Sequence, residues 1–195
     1  FTQGTNTKDA VAGIGLLFQS NPSLSADGSV VAFQSSANLA GNNSDGNAEI
    51  YVANFSGSSI SNIRQVTRTI QTTQNVNVLS PGRRLSRDGA YITFESLAND
   101  PKANTNSNNT ILGTFVYTVA ADTFVLIGQR PTTFTDISHF PTFTDYQPGT
   151  LSPGSVVFAS ALNFLPDGTF HDTTHDSDGL NPQRAAQIFL TSLPA

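Results

Sequence analysis

Three stretches of the chain repeat one short pattern, and this repetition constrains the fold more than any other feature. They are PSLSADGSVVAFQS from Pro22, RRLSRDGAYITFES from Arg83 and TLSPGSVVFAS from Thr150. Each has a Leu-Ser pair, a short turn that contains glycine, and an alternating run that ends on serine. Alternation of apolar and polar residues over such a short run is typical of a half-buried β-strand. The chain is therefore predicted to repeat one β-hairpin three times.

The first two copies place an Asp-Gly pair between the two strands of the hairpin. The pairs are Asp27-Gly28 and Asp88-Gly89. Asp-Gly is favoured in type I′ turns, because both central residues of such a turn need a positive φ. The sequence therefore predicts a tight turn of this type in both copies.

The third copy departs from the pattern. Pro153 and Gly154 stand where the other copies have Asp-Gly. A second candidate start, PTFTD from Pro141, fits the phase of the first copy better. We therefore interpret the residues between 145 and 152 as an insertion in the first hairpin of this copy.

A polar loop and further apolar runs follow each hairpin. The loops, at residues 38–47, 99–110 and 163–182, are rich in Asn, Asp, Gly and Thr. Strands of about five residues between such dense turn residues predict an all-β chain. About three four-stranded antiparallel meanders are expected, in repeats at residues 19–67, 79–128 and 139–195. Residues 1–18 are expected to supply the end strand of a preceding repeat or a closing strand.

These residues resemble the PD40 repeat, a WD40-like bacterial repeat. The resemblance is carried by PSLSADGSVVAFQS, ANLA and EIYVAN of the first copy, and it covers nearly the whole chain. The second copy has Arg83 in place of the proline, and the third lacks the Asp-Gly pair. Because PD40 repeats build TolB-like β-propellers and the non-catalytic domains of prolyl-oligopeptidase-type peptidases, the resemblance implies propeller blades. It implies no single function, since propellers host many activities.

Three blades are too few for a closed ring, because propellers typically have four to eight. The resemblance therefore implies an incomplete ring or part of a larger propeller. Open flanks would leave edge strands free to pair. The expected partners are another protein or other copies of this chain that complete those edges. Three routes stay open: a fragment of a larger propeller, a dimer that completes six blades, and head-to-tail addition in a filament or multi-subunit complex.

Composition excludes several classes of protein. Only 12% of the residues are charged and the net charge is -5, so the chain lacks the basic surface that nucleic-acid binding needs. There is no cysteine, which excludes disulfides, thiolate zinc sites and a cysteine nucleophile. The longest apolar stretch, residues 11–18, is far shorter than the roughly 20 residues of a membrane span. An acidic, cysteine-free chain rich in Asn, Thr and Ser fits an exported bacterial protein, whether periplasmic, cell-surface or secreted.

A loop of the third copy offers candidate metal ligands. It reads FHDTTHDSDG, and the oxygen-bearing residues proposed as calcium ligands are Asp172, Asp176, Asp178 and Asn181. Calcium binds six to eight hard oxygens, which carboxylate and amide side chains supply. The loop lacks the spacing of an EF-hand, so a plain solvated loop is the alternative. No other cofactor is expected.

The catalytic motif of the peptidases whose propeller repeats the chain resembles is missing from this sequence. There is no G-x-S-x-G nucleophile elbow. Arg83, Arg84 and Arg87 form the main basic cluster, which we expect to be a solvated sheet edge. The function expected is a non-enzymatic exported scaffold or protein-interaction module. The alternative is the propeller portion of a prolyl-oligopeptidase-like or glycan-active enzyme whose catalytic domain lies outside this sequence.

Overall fold

The computed structural model describes residues 19–56, 59–72, 76–103, 108–132, 134–144, 149, 151–171 and 176–193. In these ranges the chain forms eleven β-strands in three antiparallel sheets, together with one turn of 3-10 helix. The prediction of an all-β chain is therefore confirmed. Residues 1–18, for which an end strand was predicted, lie outside the described ranges. Within them, no helix is long and apolar enough to cross a membrane.

The first two sheets are four-stranded meanders with neighbouring strands in chain order. The first sheet contains β1 (Gln19–Leu24), β2 (Val30–Ser35), β3 (Glu49–Phe55) and β4 (Ile60–Gln65). The second sheet contains β5 (Asn77–Val78), β6 (Tyr91–Ala98), β7 (Asn108–Thr118) and β8 (Thr123–Ile127). A short turn joins β1 to β2, and in both sheets each strand pairs antiparallel with the one before it.

The third sheet has three strands within the described residues, in the order β11-β10-β9. They are β9 (Thr142–Phe143), β10 (Ser155–Ser160) and β11 (Gln187–Ser192). The sequence has no fourth apolar run in this copy, and nothing described pairs with the outer edge of β11, so a fourth strand there stays a prediction. The alternative start at Pro141 is confirmed, because β9 follows it directly and pairs with β10.

The Asp-Gly turns differ from the predicted type. Gly28 and Gly89 do have positive φ values, 74° and 75°. However, the amide of Gly28 donates to the carbonyl of Ser25 at 3.0 Å, so the central residues are Ala26 and Asp27, and neither has a positive φ. The prediction of type I′ is therefore wrong, and the glycine instead follows the turn in the left-handed region.

The aspartate side chain explains this turn. Asp27 accepts hydrogen bonds from the hydroxyl of Ser25 at 2.7 Å and from the amide of Ser29 at 3.0 Å. Asp88 repeats both contacts with Ser86 and Ala90. Such side-chain contacts close the turn around the aspartate and lower the pKa of Asp27 to about 2.

An aromatic pair stands at the same position in every sheet. The pairs are Phe33–Tyr51, Phe94–Phe115 and Phe158–Phe189, each joining the second and third strands. Their ring centroids lie 5.7, 5.5 and 5.6 Å apart, with the planes within 23° of parallel. We call the face that carries the pair the front face of its sheet, and the opposite one the back face. The three sheets are therefore equivalent in register as well as in strand direction.

The entry to the first strand repeats as well. Asn21 and Phe140 both have positive φ, 55° and 46°, and each is followed by a proline. Asn21 and Pro22 interrupt the pairing register between β1 and β2. Phe140 and Pro141 lie between two residues that contact β10: the carbonyl of His139 accepts a backbone hydrogen bond from it, and Thr142 pairs with it. The same kink thus opens the first and third sheets.

The sheets pack front on back. The first core cluster joins the back of the first sheet to the front of the second, and its buried residues are Ala32, Ile50, Val52, Val66, Leu79, Leu85, Ile92, Phe94, Phe115 and Tyr117. A second cluster joins Val116, on the back of the second sheet, to Phe143 and Val156 on the front of the third. Burying one such phenylalanine contributes about 1.5 to 3 kcal/mol.

Candidate functional site

A cluster of buried titratable groups lies at the seam between the second and third sheets. Glu95 stands near the end of β6, while Asp136 and His139 belong to the segment that leads into β9. Nε2 of His139 lies 2.8 Å from Oδ2 of Asp136, and its Nδ1 lies 3.3 Å from Oε1 of Glu95. The exposed fractions of the three side chains are 5% or less. We call these three residues the seam triad.

Electrostatics make the seam triad an ion network. Burial alone would lower the pKa of His139, but its contacts with Asp136 and Glu95 outweigh burial and raise that pKa to about 9. Burial would likewise raise the pKa of both carboxyl groups, yet the contacts with His139 hold each below its usual value. At neutral pH, an imidazolium therefore sits between two carboxylates, which keeps either buried carboxylate from being left unpaired.

A serine completes the network without becoming a nucleophile. Ser160 donates its hydroxyl hydrogen to Asp136 at 2.6 Å and accepts the amide hydrogen of Leu162. A nucleophilic serine would instead donate to a neutral histidine that acts as a base. Nδ1 and Nε2 of His139 face the carboxylates of Glu95 and Asp136, and the Ser160 hydroxyl donates to Asp136, so these residues do not form a serine–histidine pair.

The seam between the first and second sheets uses the equivalent positions. The side chain of Asn77 accepts a hydrogen bond from the hydroxyl of Ser96 at 2.8 Å. Asp136 accepts the same kind of hydrogen bond from the hydroxyl of Ser160. The side chain of Gln34 accepts a hydrogen bond from the backbone amide of Leu79. The side chain of Glu95 likewise accepts one from the backbone amide of His139. A side chain near the end of the second strand therefore holds the entry to the next sheet at both seams.

A third buried carboxylate lies at this first seam. Glu49 accepts hydrogen bonds from Thr67, Thr69, Asn47 and Asn77. Burial still raises the pKa of Glu49, because these donors compensate for only part of the lost hydration. Its role is to join β3, the segment after β4 and the start of β5.

Arg84 is buried at the second seam. Its guanidinium donates to the carbonyls of Ser80, Pro81 and Pro141, at 3.2, 2.9 and 2.6 Å. The prediction of a solvated edge is therefore wrong for Arg84, although Arg83 is exposed. Arg84 ties the entries of the second and third sheets together.

The proposed calcium ligands are placed only in part. Asp172 and the side chain of Asp176 lie outside the described residues. Asp178 is exposed and contacts Nε2 of His171 at 2.8 Å. Asn181 is buried, and its side-chain amide donates to the carbonyls of Leu162 and Ala185. Calcium binding by this loop stays a prediction.

The seam triad was missed from the sequence, although one pattern pointed to it. Glu95 and Gln34 both precede the serine at the end of the alternating run, so the position could have been marked as special. Nothing in the sequence showed that Asp136 and His139 would face Glu95, because more than 40 residues separate them from it.

Within the described residues, the two most exposed large apolar side chains lie on the third sheet. Within the described residues, β11 pairs on one side only, and its Ile188 and Leu190 are 71% and 67% exposed. Exposed apolar side chains on an edge strand mark a surface suited to contact with another protein. No protein-family model matches the chain, and no curated protein matches it either.

Proposed function

We propose that this chain is a non-enzymatic protein-interaction module built from propeller-type blades, and that it acts through its third sheet. The observation that carries the proposal is the open edge of β11 beside the exposed Ile188 and Leu190. A soluble chain exposes such residues together where another molecule covers them. The blade assignment is supported by the three equivalent sheets and by their front-on-back packing.

The buried polar groups fit a scaffold. The seam triad and Glu49 are committed to contacts between sheets, so these residues have a structural task. The acidic, weakly charged composition supports an exported location, which is part of the same proposal.

Photo-crosslinking in the producing cells tests the proposed function. A photoreactive amino acid at position 190 should form adducts with another protein chain. The same amino acid at Val125, which is 45% exposed on an outer strand of the second sheet, should not. Adducts at neither position would contradict the proposal. So would a catalytic activity of the folded chain that disappears with one substitution, such as His139→Gln.

A further inference from the structure

We propose that the back face of the third sheet binds the front face of the first sheet in a second copy of this chain. Copies would then associate head to tail. This inference rests on the proposed interaction function and names its partner. It starts from the fact that the molecule contains the same kind of interface twice already.

The back face of the third sheet lacks its cover. In the register, Ile188 pairs with Ala159 and Leu190 pairs with Val157. The equivalent residues are Ile50 and Val52 in the first sheet, and Thr114 and Val116 in the second. Those four residues are at most 4% exposed, whereas Ile188 and Leu190 are more than 65% exposed. The difference arises because a following sheet covers the first two back faces.

The front face of the first sheet is exposed at its first strand, although Tyr51 in the middle of that face is fully buried. Leu24 pairs with Val31 in the register position that Leu85 and Phe143 occupy in the other sheets. Leu24 is 52% exposed, whereas Leu85 is 0% and Phe143 is 6% exposed. A preceding sheet covers the latter two, and no described residue covers Leu24 to the same extent.

The exposed Leu24 and the exposed back face of the third sheet therefore complement each other within one chain. Each already has the residue types that pack together at the two internal seams, and they point in opposite directions along the series of sheets. The back face of the third sheet also carries Ala159 where the second sheet has Glu95, so docking there buries no carboxylate at that position. Back-to-back pairing of two third sheets would leave Leu24 exposed, which favours the head-to-tail arrangement.

Two blocking variants and a matched control test this inference. Leu24→Asp blocks the front face, and Ile188→Asp with Leu190→Asp blocks the back face. Val125→Asp adds the same charge at an exposed apolar residue away from both. In sedimentation velocity experiments, wild type and Val125→Asp should associate as the concentration rises. Each blocking variant should stay monomeric, and the two mixed together should form a 1:1 complex.

Folding is checked separately. All variants should keep the circular dichroism spectrum of wild type, because every substituted residue is substantially exposed. A milder back-face variant, Ile188→Thr with Leu190→Thr, should weaken association at least tenfold without adding a charge.

Three results would overturn the inference. They are a wild type that stays monomeric, a Leu24→Asp variant that still associates, and a mixture of the blocking variants that forms no complex. If wild type is monomeric while position 190 still crosslinks to a different protein, self-association fails and the interaction function stands. If position 190 also forms no adduct, both proposals fail.

Discussion

At the scale of single residues, the seams show two ways of burying a carboxylate. Glu49 relies on neutral donors alone, and burial keeps its pKa raised. Glu95 and Asp136 share a cationic histidine, and their pKa values are lowered instead. A buried ion pair costs desolvation, but removal of one partner costs more because a bare charge is left behind. His139 is therefore the residue on which the second seam depends most.

His139 predicts a specific dependence of stability on pH. Its folded pKa of about 9 lies above the ordinary value of 6.5, so its contribution is complete below pH 6.5 and is lost as the pH rises through 9. Over that window the free energy of unfolding should fall by up to ~3 kcal/mol. The lowered pKa values of Asp136 and Glu95 act at the acid end, where their contribution is lost as the pH falls.

Urea unfolding at pH 6 and pH 9 measures this effect. His139→Gln should lower stability at pH 6 and remove most of the slope between the two pH values. His171→Gln replaces a more exposed histidine and should keep the slope. An unchanged slope in His139→Gln would show that another group titrates.

The two turn glycines give a matched pair of substitutions. Gly28 and Gly89 have nearly the same φ, so alanine at either position costs about 1 kcal/mol of backbone strain. A β-carbon at Gly28 meets nothing within 4 Å, whereas one at Gly89 lies 3.1 Å from Cγ2 of Val30. Gly89→Ala should therefore destabilise clearly more than Gly28→Ala in thermal unfolding. Equal losses would contradict the contact between the two turns.

At the scale of elements, each second strand carries the same serine contact at or near its end. Ser35, Ser96 and Ser160 are fully buried, and each hydroxyl accepts the amide hydrogen of the residue two positions further on. This contact satisfies a backbone donor where the regular pairing is interrupted. β2 and β10 end at this serine, whereas β6 shifts register between Ser96 and Ala98 and continues to Ala98. The serine that ends each alternating run in the sequence therefore marks the end of regular pairing in all three copies.

Substitution of these serines should have graded effects. Ser160→Ala also removes a hydrogen bond to the buried carboxylate of Asp136, so it should cost about 2 to 3 kcal/mol. Ser35→Ala loses its contact with the amide of Ala37 and should cost about 1 kcal/mol. Equilibrium urea unfolding gives both values, and the reverse order would contradict the role of Asp136.

The sequence predicted the elements better than the details that join them. Alternation and turn residues located the strands, because both are local properties of the chain. The turn type was wrong, because the side chain of Asp27 selects a different hydrogen-bond pattern from the one that the Asp-Gly pair suggests. The seam triad was missed because Glu95 meets His139 only after two sheets have packed.

At the scale of the whole molecule, three equivalent sheets form a series with two different ends. Each internal junction places a front face on a back face, with one buried polar network beside it. In such a series each unit contacts only its neighbours, so the end units keep one face open. The exposed Leu24 at one end and the exposed Leu190 at the other are the direct consequence.

The central claim is the front-on-back packing of successive sheets, and a single engineered disulfide tests it most directly. A β-carbon at Gly89 would lie 3.5 Å from that of Ser25, which is within the range that disulfides span. The chain has no cysteine of its own, so the double variant Ser25→Cys with Gly89→Cys contains only this pair. Under oxidising native conditions the intramolecular disulfide should form rapidly and nearly completely, and in urea it should form slowly. Equally slow formation in both conditions would contradict the packing of the second sheet on the first.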